Sequence, residues 1–286
     1  MERIKSMREI TLEERIKAEL ASYDGTMGIY VNDRKGNILE INSGELFETA
    51  SCCKVFILGT LFDEVEKGHK SLSDMLTYTK ENYINGSGIL KSLELGVTMT
   101  AVNVATLMII ISDNIATNMM IDYLGLDTIN EFIQKQGLKD TVLHNKIDFE
   151  AYDKLGTTTP RDYAVMFERI AAGELVSREA SAKMLEILKM QHYNSMLTGD
   201  LPQYFLDSED TGDEELIWVA SKSGSMNACR NDGGIVSTPY GSYVIVLMNK
   251  KFYDPIYYSG HPATKFGAKI SRLIFDQYLA LKGRIR

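Results

Sequence analysis

Strand-like alternation sits at the two ends of this chain and helical periodicity fills its middle, an order that restricts the folds it can reach. Thr11 to Ala21 spaces Leu12, Ile16 and Leu20 four residues apart, the stripe of an amphipathic helix. Thr26 to Asn32 and Ile38 to Asn42 read as strands joined by the turn Asp33-Arg34-Lys35-Gly36-Asn37. From Ser51 the period changes. Val55, Leu58, Leu61, Phe62 and Val65 follow helical spacing, and so do Ala101 to Ile111, Ile115 to Leu124 and Thr128 to Gln136. Pro160, placed for a first helical turn, announces Arg161 to Ala172, and Ser177 to Gln191 is a further helix. Strand character resumes at Leu216 to Ser221, Gly233 to Ser237 and Tyr243 to Met248, before Ala263 to Leu281 closes as helix.

This order predicts an α/β domain assembled from both chain ends, residues 1–49 and 195–286, around an all-α domain of residues 50–194. Functional residues are then expected at the junction, where pockets tend to form. With 286 residues, 44% of them hydrophobic and 24% charged, the chain can bury a sizeable core. Its formal charge of -8 argues against nucleic acid as a partner, because such binders need a concentrated positive surface. No membrane span is expected, since the longest apolar stretch, Val102 to Ile111, is too short to cross a bilayer. Met1 to Lys17 carries charges throughout and has no apolar signal core, so the chain as it stands reads as cytoplasmic; a removed leader would make it periplasmic or secreted. Cys52, Cys53 and Cys229 form no metal or disulfide framework and read as packing thiols. The four histidines are scattered, so neither a Ser-His-Asp arrangement nor a metal site is expected, and no cofactor is implied.

Three short signals carry the chemistry. In Ser51-Cys52-Cys53-Lys54, a helix would place a hydroxyl and an amine on one face. The amine can take the hydroxyl proton only if its pKa falls from about 10.4 toward neutrality, as a partly closed cleft holding other cations would achieve. Taken alone, the pattern equally describes an N-cap serine followed by a surface lysine. Ser112-Asp113-Asn114 follows the apolar run Met108 to Ile111 and is consistent with a cleft wall: Ser112 to pass a proton, Asn114 to hold a carbonyl or the lysine. Helix capping is its plain alternative. Lys222-Ser223-Gly224-Ser225 lies beside a strand. There a lysine and a hydroxyl can bind a carboxylate, Gly224 permits close approach, and the Ser225 amide can face a carbonyl oxygen.

Together, and in this order, the three resemble the S-x-x-K, S-D-N and K-S-G elements of the penicillin-recognising serine hydrolases, class A β-lactamases in particular. Thr157-Thr158-Thr159-Pro160-Arg161-Asp162-Tyr163 also resembles the segment that follows the omega loop there, and Asn231-Asp232 falls where the next strand begins. The resemblance implies an α+β fold of the β-lactamase/transpeptidase type, with an antiparallel sheet flanked by helices plus an all-helical domain. It implies a monomer acting on a small carboxylate-bearing amide or ester, a β-lactam or a peptide. Ser51 would form the acyl-enzyme, Lys54 act as base, Ser112 relay the proton, and the Ser51 and Ser225 amides hold the oxyanion. Lys222 and Ser223 would anchor the substrate carboxylate. Arg230 stands near the place of a carboxylate-binding arginine, with a plain surface ion pair as its alternative.

The likeness breaks at deacylation. Class A enzymes activate water with a glutamate in an E-P-E-L-N run fourteen residues before the first threonine; here that count back from Thr157 reaches Leu143, and the run is absent. The acids available are Asp148, Glu150 and Asp153, of which Glu150 is the candidate base and a solvated loop acid its alternative. A slow β-lactamase, a D-alanyl-D-alanine peptidase or esterase, and a non-hydrolytic β-lactam sensor all follow from such a loop.

Overall fold

The computed structural model describes residues 10–150, 154–203, 206, 216–227, 229–254, 256, 258 and 260–285. Helix α1 (Leu12–Leu20) starts at a capping box. Thr11 Oγ1 accepts from the Glu14 amide, and the Glu14 carboxylate accepts from the Thr11 amide. Strands β1 (Thr26–Asn32) and β2 (Ile38–Ile41) follow, then the two-residue β3 (Phe47–Glu48). The helical middle comprises α2 (Lys54–Glu66), α3 (Ala101–Ile110), α4 (Asn114–Leu124), α5 (Leu126–Lys135), α6 (Pro160–Ala172) and α7 (Arg178–Lys189). Between them lie the short strands β4 (Met75–Thr77), β5 (Thr98–Thr100), β6 (Val142–Leu143) and β7 (Gly156–Thr158). The chain ends with β8 (Trp218–Ser221), β9 (Gly224–Met226), β10 (Cys229–Thr238), β11 (Gly241–Lys250) and α8 (Pro262–Ala280).

The main sheet is antiparallel in the order β2-β1-β11-β10-β8, with β9 also pairing β10. Its inner strands are buried on both faces, which is why Tyr243 to Met248 reads as an unbroken apolar run. Alternate residues enter different cores: Val244, Val246 and Met248 join the helical one, while Tyr243, Ile245 and Leu247 meet Leu12, Ile274 and Phe275 of α1 and α8. Helix α6 covers the first face, resting on β1, β10 and β11. The architecture is α+β, an antiparallel sheet flanked by helices with a helical region beside it.

Helix α2 is buried nearly all round, the signature of a central helix rather than a surface one. The middle is less uniformly helical than its periodicity predicts. There β4 pairs β5, and β3-β7-β6 form a small sheet that ties the chain just before Ser51 to the return from the loop at 143–156. Strands of two or three residues are too short to show alternation in sequence. Among the described residues no helix is long and apolar enough to cross a membrane.

Candidate active site

Ser51 does not open an α-helix as the spacing predicts. It sits in a 3-10 turn, Ala50–Cys53, that feeds into α2. Residues three apart eclipse within a 3-10 turn, and Lys54, three after Ser51, follows this one as the first residue of α2. The turn begins under strain: Ala50 has φ 44°, a left-handed conformation that disfavours a side chain. Glu48 on β3 steadies it. One carboxylate oxygen of Glu48 accepts from the amides of Ala50 (3.2 Å), Leu155 (3.1 Å) and Gly156 (3.3 Å), tying the Ser51 turn to the loop return. Its other oxygen is buried with no hydrogen-bond partner among the described residues, and burial pushes the carboxyl pKa up against the three donors.

Lys54 is fully buried, and its Nζ is held by the turn between α3 and α4. It lies 2.9 Å from the Ser112 carbonyl oxygen, 2.9 Å from Ser112 Oγ and 3.1 Å from Asn114 Oδ1. Ser112 adopts φ 52°, which turns both its oxygens onto the amine. The hydrogen bonds of Lys54 thus run to Ser112 and Asn114, with Ser51 beside them on the wall of the same cleft. Burial, reinforced by the Lys222 charge, lowers the Lys54 pKa to about 7, while Cys53 and Asp113 pull the other way. Asp113 caps α4 through the Ala116 amide and accepts from the Ile89 and Leu90 amides, fastening the 85–90 loop to this turn.

The third wall is the segment between β8 and β9. The Lys222 amide donates to the Gly233 carbonyl, and the Lys222 carbonyl accepts from the Tyr163 hydroxyl at 2.8 Å. Lys222 Nζ is buried, 2.7 Å from the Ser223 carbonyl, and burial lowers its pKa to about 8. Gly224 lies against the turn that carries Ser51: a Cβ there would fall 2.8 Å from the Ser51 nitrogen. Only glycine fits.

These segments enclose a cleft of about 380 Å³. Ser51, Ser112, Asn114, Ser223, Gly224 and Ser225 line it together, with Lys54 and Lys222 buried behind. Two predicted residues are not brought there. Arg230 is buried with its guanidinium over the Phe252 ring, donating to the carbonyls of Met226, Cys229 and Ile256. It is buried and does not line the cleft. Glu150 is exposed, its amide donating to Asp148 Oδ1, and the cleft residues of that segment are instead Ile147, Phe149 and Leu155. Asp148 is exposed as well, and Asp153 lies outside the described residues. Among the described residues no cluster of metal-binding side chains occurs.

The model of the beta-lactamase enzyme family matches residues 11–278. The chain belongs to that family. It is 27% identical over 210 residues to a beta-lactamase of Rhodobacter capsulatus, covering 71% of this chain and 67% of the relative. A beta-lactamase of Proteus vulgaris is 25% identical over 218 residues, covering 71% and 77%. Among solved structures, the beta-lactamase of Sphaerobacter thermophilus superposes with a TM-score of 0.82 at 27% identity, covering 94% of this chain and 97% of that one. A mutant of PBP-A, solved as an acyl-enzyme complex with penicillin G, gives 0.81 at 28% identity, covering 94% and 96%.

Within this beta-lactamase-family site, two contributors carry no motif and escape sequence reasoning. Ser87 lines the cleft, and its hydroxyl is 2.7 Å from the Ser112 carbonyl and 3.2 Å from Asn114 Oδ1. Glu48 acts on backbone amides, so its only signal is a carboxylate three residues before Ser51. Tyr193, Phe149 and Met226 complete an apolar side of the cleft.

Proposed function

We propose that this protein is a serine hydrolase that forms an acyl-enzyme on Ser51 by opening the amide of a β-lactam, with slow deacylation. The observation that carries the reading is the buried Lys54 amine, held by Ser112 and Asn114 beside the cleft that contains Ser51. An amine with pKa about 7 is half unprotonated at neutral pH and can accept a proton. Ser51 Oγ attacks the carbonyl carbon as its proton passes toward Lys54. The C–N bond then breaks as Ser112 hands its hydroxyl proton to the departing nitrogen and takes one back from the Lys54 ammonium, 2.9 Å away. The Ser51 and Ser225 amides face the developing oxyanion, where one donor is worth about 10²–10³ in rate. Lys222 and Ser223 attract the substrate carboxylate.

A second reading, a D-alanyl-D-alanine peptidase or esterase of the same superfamily, is favoured by the loop. Among the described residues no carboxylate lines the cleft, and Ile147, Phe149 and Leu155 offer nothing to activate water. Intact mass followed over time with a penicillin, together with burst kinetics on a chromogenic cephalosporin, tests both. One adduct on Ser51, lost in Ser51→Ala, followed by turnover slower than the burst is the expected result. Faster turnover of a D-alanyl ester than of either β-lactam selects the second reading. Absence of any adduct, or an adduct that survives Ser51→Ala, overturns both.

A further inference from the structure

Lys54 shares its two carbonyl acceptors with a hydroxyl from a distant loop. Ser87 Oγ lies 2.7 Å from the Ser112 carbonyl oxygen and 3.2 Å from Asn114 Oδ1; Lys54 Nζ lies 2.9 and 3.1 Å from the same two atoms. Neither oxygen can donate, so both groups give hydrogens to them. We propose that Ser87 is a positioning residue for the hydrolase reaction: its one hydroxyl hydrogen, donated to the Ser112 carbonyl with Asn114 Oδ1 as the longer, shared acceptor, weakens the hold of these oxygens on a proton and so keeps Lys54 in its free-amine form. This assignment rests on the hydrolase reading of the cleft.

The loop is built to hold that hydroxyl in place. The Ser87 carbonyl accepts from the Asn114 amide at 3.0 Å, and Asn114 Nδ2 donates to the Asn85 carbonyl at 3.1 Å. Asp113 takes the next two amides, those of Ile89 and Leu90. Gly88, at φ 107°, leaves no room for a side chain, since a Cβ would meet the Asp113 carboxylate at 2.2 Å. Four hydrogen bonds and one steric wall thus fix Ser87 against the S-D-N turn.

The physical effect follows from what an ammonium needs. A protonated Lys54 has three hydrogens and no lone pair, and its best stabilisers are the two carbonyl oxygens and Ser112 Oγ. A hydroxyl dipole donated into those carbonyls reduces the negative potential they present to the amine. The free amine loses less, because it needs only two acceptors and keeps a lone pair for the Ser112 hydroxyl. The charged neighbours act alongside: Lys222, from the segment between β8 and β9, disfavours the ammonium, and Asp113, from the α3–α4 turn, favours it. Cys52 and Cys53, from the turn before α2, are buried thiols. Among the described residues no carboxylate approaches from the cleft side.

The test compares wild type with Ser87→Ala and Ser87→Thr, the second restoring the donor. The pH profile of the acylation rate on Ser51 is one readout. The titration of the Lys54 side chain by NMR, with ¹³C at its Cε and assignment by Lys54→Arg, is the other, and it needs no turnover. Expected in Ser87→Ala is an upward move of the acid limb and of the Lys54 titration by roughly half to one pH unit, a three- to tenfold gain in proton affinity. Ser87→Thr returns both to the wild-type position. A residue that merely supports the loop would lower the rate at every pH without moving the limb. An unmoved Lys54 titration in a folded Ser87→Ala overturns the proposal; should that variant not fold, Ser87→Cys, a weaker donor of similar shape, decides by the same shift. Failure of wild type to acylate at all would instead remove the hydrolase reading, while the NMR titration still reports on Ser87.

Discussion

Placing a methyl group at Gly224 perturbs the site at its tightest point. A Cβ there would lie 2.7 Å from the Cys52 nitrogen, 2.7 Å from the Thr49 oxygen and 2.8 Å from the Ser51 nitrogen. All three are main-chain atoms of the segment that carries Ser51, so no side chain can swing aside. Ordinary contact begins near 3.4 Å, and strand β9 must therefore draw back from the Ser51 turn by ~0.7 Å. Overpacking of this kind costs roughly 1–3 kcal/mol, which for a chain of this length lowers Tm by about 2–10 °C. The rate should suffer more, because misplacement by about 1 Å costs on the order of 10²-fold in reactivity. Gly224→Ala is expected to acylate roughly 30–100-fold more slowly, read as the single-turnover appearance of the Ser51 adduct by intact mass. Gly44→Ala is the control: its nearest neighbour is Arg161 Nη1 at 3.6 Å, so neither melting nor acylation should change. If Gly224→Ala melts lower yet acylates within threefold of wild type, the close approach of β9 to Ser51 does not set reactivity, and the oxyanion role given to the Ser225 amide goes with it.

Three further outcomes follow from burial and charge. Burial pushes the Asp232 pKa up to about 7, so the native state keeps a proton that the unfolded chain releases near pH 4. That contribution is whole below pH 4 and lost as pH rises through 7; the stability advantage of wild type over Asp232→Asn should fall by about 1–4 kcal/mol between pH 4.5 and 8 in denaturant melts, and a constant difference would refute the assignment. Cys52, Cys53 and Cys229 are all buried, and burial raises each thiol pKa, so Ellman's reagent at pH 8 should find none in the native protein and three after unfolding; a fast native thiol would end the packing interpretation. Leu155 lines the cleft, and Glu48 ties its amide to that of Ala50, so Leu155→Glu brings a carboxylate close to the acyl group. A positioned base is worth about 10²–10⁴, and at least a tenfold faster loss of the Ser51 adduct is expected, together with a lower Tm; an unchanged adduct lifetime would show that deacylation is not limited by a missing carboxylate.

The long elements were legible because burial on one stripe, or on two faces, leaves a period in the sequence. Thr26–Asn32 emerges as a strand with the predicted bounds, and the helices begin or end within one or two residues of theirs. Strands β3, β6 and β7 were not legible, since two or three residues display no period, yet they set the position of the Ser51 turn. The 3-10 start of α2 was hidden for the same reason. Among the site residues, motif spacing brought Ser51, Ser112, Asn114, Ser223, Gly224 and Ser225 to one cleft. It gave no sign that Arg230 would be buried, with its guanidinium donating to the carbonyls of Met226, Cys229 and Ile256. Glu150 could not be placed at all, because an irregular loop has no periodicity to say which of its residues turn inward; Ile147, Phe149 and Leu155 do.

What the motifs cannot encode is the state of the amine. Lysine at this spacing is a base only when water is excluded and cations outweigh anions around it, and the groups that arrange this come from separate parts of the chain. Ser112 and Asn114 lie 58 and 60 residues from Lys54, and Lys222 belongs to the late strands. Each alone is an ordinary polar residue with a capping or surface role open to it. The sheet supplies Lys222 by closing β10 against β8 and β9, while the helical core buries α2 on every side. A chain that kept the three motifs but let water reach Lys54 would hold an ammonium at neutral pH, and a hydroxyl beside it with no base to accept its proton.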